Sequence, residues 1–88
     1  MGGAWLPNSP HLKESIMVKW KYMYVTCNWN DPEKKWRTRY INGNELPDWT
    51  NGPTLYQVSD DLGEKGWELT GYHASDVVVR LVFKRPIE

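Results

Sequence analysis

Alternate positions fall on opposite faces over four stretches of the chain, and apolar residues recur at helical spacing over one. From Ile16 to Trp29 the residues are rich in aromatic and β-branched types, with Trp20, Tyr22 and Tyr24 on one side and Met23, Val25 and Cys27 on the other, the two-residue period of a strand. Asn30-Asp31-Pro32-Glu33-Lys34 has turn composition, and Pro32 has no N–H to give a ladder. Trp36 to Ile41 then alternates strictly, with an aromatic or Thr at even positions and Arg at odd ones, which predicts a second strand antiparallel to the first. Asn42-Gly43 tolerates positive φ at both positions, so a tight turn is expected there, returning Asn44 to Leu46 briefly.

Pro47 to Pro53 reads as a loop carrying Trp49. Thr54 and Gln57 stand three apart as a capping box, and Leu55, Val58 and Leu62 follow at helical spacing, so a helix of about three turns begins at Thr54. Gly66 fits the left-handed position just past a helix, which would set Leu62 against Trp67 in a Schellman cap. Trp67 to His73 is a third strand, with Trp67 and Leu69 on one face and Glu68, Thr70 and Tyr72 on the other. Ala74-Ser75-Asp76 turns the chain, and Val77 to Arg85 alternates most clearly of all before Pro86 ends it.

The predicted fold is α+β: a small antiparallel sheet of about four strands in the order β-β-α-β-β, with one short helix packed on one face. If the helix covers Met23, Val25, Trp67, Leu69, Val79, Leu81 and Phe83, the other face shows Trp20, Tyr22, Tyr24, Trp36, Tyr40 and Tyr72 with Arg80 and Lys84. Residues 1–16 hold two glycines, two prolines and neither period, so they read as an arm, and 17–88 as a single domain with Met17 as a plausible second start. Trp5 and Leu6 in the arm could dock on an open sheet face or on a neighbouring subunit.

Charge refines this picture. The 88 residues balance eleven basic against eleven acidic side chains, which argues against a duplex-binding protein held by phosphate neutralisation. The balance conceals segregation: Lys13 to Arg39 carries seven basic and three acidic residues, and Glu45 to Glu68 six acidic and one basic. The first strand pair therefore reads basic and the helix acidic. Cys27 is the only cysteine, so no internal disulfide forms and a reducing cytoplasm is the expected location. No run approaches the ~20 apolar residues of a membrane helix.

Catalysis finds little support. His73, Ser75 and Asp76 have the residue types of a triad but crowd into one turn, whereas a triad converges from separate elements. Cys27 at an inward position reads as a buried thiol, His11 and His73 make no metal site, and Gly63 and Gly66 close a helix where a phosphate loop would open one. No catalytic residue, metal or cofactor is expected. Binding finds more: Trp20, Tyr22, Tyr24, Trp36 and Tyr40 can stack on a planar ligand, and Arg37, Arg39 and Arg80 can grip phosphate or carboxylate. These eight residues are the expected ligand site for a small anionic, nucleotide-like molecule. The same face is also of a kind that makes a homo-oligomer interface, and the two uses can coexist in a cleft between subunits. A protein-interaction module without ligand and a single-strand nucleic-acid binder are the alternatives.

Trp20-Lys21-Tyr22, Leu62-Gly63-Glu64-Lys65-Gly66-Trp67-Glu68-Leu69 and Val82-Phe83-Lys84-Arg85-Pro86 together resemble a family of short bacterial and phage proteins catalogued only as a domain of unknown function. The likeness spans roughly Val18 to Pro86 and is most specific in the middle run. It implies a small antiparallel sheet with one helix, carries no catalytic residue over, and makes Trp29 to Trp49 the specialised segment. A phage origin would suit sequestration of a signalling nucleotide.

Overall fold

Met23, Val25 and Cys27 of the first strand stand directly across from Phe83, Leu81 and Val79 of the last, so alternate residues of two central strands bring their apolar sides to one face. Around that pair the computed structural model, which describes residues 17–87, builds a five-stranded antiparallel sheet. Its elements are β1 (Trp20–Asn30), β2 (Lys35–Ile41), β3 (Asn44–Glu45), helix α1 (Leu55–Glu64), β4 (Glu68–Ala74) and β5 (Val78–Pro86), in the sheet order β3-β2-β1-β5-β4. The expected α+β class and the two strand pairs joined by a helix are both present. The fifth strand is the two-residue return after Asn42-Gly43, where both residues take positive φ, 52° and 84°. The arm reading of residues 1–16, with Trp5, Leu6 and His11, lies outside the described residues.

Helix α1 forms where its local chemistry says it should. The Thr54 hydroxyl accepts from the Gln57 N–H at 3.2 Å and the Gln57 side chain accepts from the Thr54 N–H at 2.9 Å, closing both halves of the capping box. At the other end Gly66 has φ +89°, the Trp67 N–H reaches the Leu62 carbonyl at 2.9 Å, and the Gly66 N–H reaches Gly63 at 3.1 Å. Those two bonds define a Schellman cap, and Leu62 and Trp67 are both buried in the core behind it.

Val25, Cys27, Val58, Leu62, Trp67, Val79, Leu81 and Phe83 form that core, with Met23, Trp36 and Leu55 packed at its margin. A ten-residue helix is about 15 Å long and about 10 Å wide, less than a sheet whose strands lie about 4.8 Å apart. Its cover gives out over β4, where Leu69 is 48% exposed although it faces Phe83 from the helix side. Among the described residues no helix is long and apolar enough to cross a membrane.

Two bulges reset the sidedness that strict alternation predicts. In β2 the pairing skips Arg39, so Tyr40 lies opposite Thr26 while Thr38 lies opposite Cys27 and Trp36 opposite Trp29. Trp36 and Thr38 thus belong to the helix side, while Tyr40, and Arg37 opposite Asn28, lie on the far side. In β4 the pairing skips Thr70, so Tyr72 lies opposite Leu81 on the helix side, not on the far face expected for it. Thr38 is fully buried, its hydroxyl 3.8 Å from the Cys27 sulfur.

Candidate functional site: the uncovered face of the sheet

The face turned away from α1 is built from alternate residues of three strands. Trp20, Tyr22 and Tyr24 of β1 stand two residues apart, which spaces their rings about 6.8 Å along the strand. Across from them on β5 lie Pro86, Lys84 and Val82, and Arg80 follows opposite Thr26. Tyr40 continues the aromatic surface on β2, across from Thr26. Nothing among the described residues covers this row: Trp20, Tyr22 and Tyr24 are 38%, 50% and 55% exposed. The Lys84 ammonium lies 4.0 Å from the centre of the Trp20 ring, a cation over an aromatic face. Glu68 of β4 pairs across to Lys84 and His73 to Arg80 on this same side.

β1 reaches this exposed row because its ladder with β2 stops early. The Asn42 N–H donates to the Tyr24 carbonyl at 2.7 Å, and the Asn42 side-chain oxygen accepts from the Tyr24 N–H at 2.9 Å. From Tyr22 to Trp20, β1 pairs with β5 alone.

Of the eight residues expected to form a ligand site, five meet on this face: Trp20, Tyr22, Tyr24, Tyr40 and Arg80. Trp36 does not join them. It packs on the helix side at an edge-to-face angle of 63° to Trp29, ring centres 5.2 Å apart, because the Arg39 bulge inverts the parity between positions 36 and 40. Arg37 shares this side by register, opposite Asn28, but is committed to structure: Nη2 donates to Glu33 at 2.7 Å, Nη1 donates to the Gly52 carbonyl, and the side chain is nearly buried. These bonds fasten the 30–34 turn and the loop before α1 to β2. Arg39 is likewise engaged, with Nε donating to Glu45 at 2.7 Å and its guanidinium 4.8 Å from the Trp49 ring centre and 5.3 Å from that of Tyr40. That ion pair holds the Arg39 proton more tightly than usual.

Two sets of residues escaped the sequence reading. Trp29 and Trp36, with Thr54, Tyr56, Lys34 and Lys35, line a groove of about 430 Å³ beside the start of α1. Lys21, Lys65 and Arg85 line another of about 440 Å³ beside its end. The signal for the second was the odd-numbered parity shared by Lys21 and Arg85 with the core residues of their strands.

Of the residues considered for catalysis, His73 lies in β4 and Ser75 serves the hairpin. The Ser75 hydroxyl sits 3.3 Å from both the N–H and the carbonyl of Val78, closing the β4–β5 connection. Cys27 is buried, which pushes its thiol up from the ordinary range, the Thr38 hydroxyl acting weakly in the other direction. Among the described residues no three His, Cys, Asp or Glu side chains gather as a metal site would require. Compared with family models, curated proteins and solved structures, the chain matches none.

Proposed function

We propose that this protein is a non-enzymatic, homo-oligomeric, cytoplasmic binding module whose uncovered sheet face takes a small anionic aromatic ligand of nucleotide type. The observation that carries the reading is the exposed row Trp20, Tyr22 and Tyr24, with Lys84 across from Tyr22 and Arg80 one position beyond the row on β5. Rings two residues apart on a rigid strand give a base a flat surface to stack on, and each stacked base contributes about 1–3 kcal/mol. Arg80 and Lys84 sit within the same surface, where a phosphate attached to that base could reach them. Trp20 and Tyr22 lie where β1 has no β2 neighbour, so the same rings can be shared between two copies of the chain. A phage origin, which the resemblance of the Leu62–Leu69 and Val82–Pro86 runs to short bacterial and phage proteins would allow, would suit sequestration of the ligand.

The test is a thermal-shift panel of cyclic and linear nucleotides followed by titration of any that stabilises the fold. Trp20→Ala and Tyr22→Ala should each weaken the best ligand about five- to hundred-fold, the range set by losing one stacking ring. A panel in which no nucleotide shifts the melting temperature sinks the proposal. The even spacing of the three rings also favours a second reading, a short single-stranded nucleic acid with one base per ring. Fluorescence anisotropy of labelled oligonucleotides at low salt separates the two, since flat traces remove the second reading.

A further inference from the structure

We infer that the groove at the closing end of α1 is a binding site for a phosphate-type oxyanion, formed by Lys21, Arg85 and Lys65 on the helix side of the sheet. Lys21 and Arg85 are direct cross-strand partners, so two positive charges stand side by side on one face. Like charges placed directly opposite each other destabilise a sheet. Lys65 brings a third cation to the same rim, and Gly66, Pro86 and Ile87 complete a groove of about 440 Å³.

The arginine is held in place for this task. Its Nη1 donates to the Lys65 carbonyl at 2.8 Å, and its guanidinium carbon lies 4.8 Å from the centre of the buried Trp67 ring. One donor of the fork is thereby used to fix the plane, and among the described residues the others meet no acceptor, which suits an oxyanion that a guanidinium grips in paired hydrogen bonds. The floor is equally fixed, since the Ile87 N–H donates to the Lys19 carbonyl at 2.8 Å and keeps β1 and β5 together to their ends. Among the described residues Lys65 alone of the three meets an acid, Asp61 at 3.0 Å, in a solvent-exposed pair. The groove therefore keeps a positive excess that no described side chain cancels, and a multiply charged oxyanion between Lys21 and Arg85 removes the repulsion.

The cations of this site lie on the opposite face from the aromatic row, with Pro86 at the strand end between them, and the site stands or falls separately. Its test is pyrophosphate titration of the full chain at constant ionic strength, followed by melting temperature and by backbone amide shifts. Pyrophosphate should raise the melting temperature above a chloride control and move the amides of Lys21, Lys65, Gly66 and Ile87. Lys21→Gln has a double signature: without anion it melts higher than the parent, because a cross-strand repulsion is gone, and it binds pyrophosphate at least five-fold more weakly. Lys35→Gln, which removes a cation from the start of β2 away from the groove, leaves pyrophosphate affinity unchanged. The inference is overturned if pyrophosphate does no more than chloride, if Lys21→Gln binds it as the parent does, or if only vesicles containing phosphatidic acid capture the protein.

Discussion

Gly63 and Gly66 sit three residues apart in one short run, yet their backbones ask for opposite things. Gly66 holds φ +89°, where a side chain is strained, while Gly63 is helical with open space where a Cβ would stand. Gly66→Ala should therefore cost about 1–2 kcal/mol and Gly63→Ala should gain about 0.5 kcal/mol, both read from urea melts. Equal effects at the two positions would remove the Schellman cap from the account. Cys27 gives a second prediction at this scale. Its folded thiol ionises later than an unfolded one, so as pH rises past the ordinary thiol range the unfolded chain gains by ionising and stability falls. That alkaline loss should shrink in Cys27→Ala, and in the native parent the thiol should react with a thiol reagent only as fast as the chain opens.

At the level of elements, α1 depends on its first turn. Thr54→Ala removes the hydroxyl that caps Gln57 and should cost about 1 kcal/mol, measured by denaturant unfolding, with Gln57→Ala costing less. This cap, the Gly66 corner and the alternation of β1 and β5 were legible because each is a local pattern whose residue types have one good use. The bulges in β2 and β4 were not. A skipped residue leaves alternation intact in the sequence and inverts it in space, so Trp36 and Tyr72 were assigned to the wrong face. Gly71, next to the Thr70 bulge, was the only written hint, since an isolated glycine in a strand often marks one. For β2 the cause lies at a distance: Arg39 is drawn to Glu45 and Trp49, partners that only the folded loop provides. Two of the three arginines expected to bind ligand, Arg37 and Arg39, are for the same reason spent on holding the turn and loop.

For the molecule as a whole, one short helix against five strands leaves an imbalance. One face is covered by α1 over the core residues of β1 and β5 but left open over β4, and the other presents three aromatic rings, Tyr40 and two cations. The charge segregation seen along the chain becomes spatial, with basic residues on β1, β2 and β5 and acidic residues along α1. On the proposed reading the aromatic row carries association and the helix side carries the core, so substitutions in that row should change association far more than melting temperature. Native mass spectrometry of the protein as purified from cells tests this most directly, because it reads subunit number and retained ligand together. The account predicts a multimer carrying a nucleotide-sized mass increment, both lost in the Trp20→Ala, Tyr22→Ala double variant; a bare single chain for parent and variant alike would contradict it.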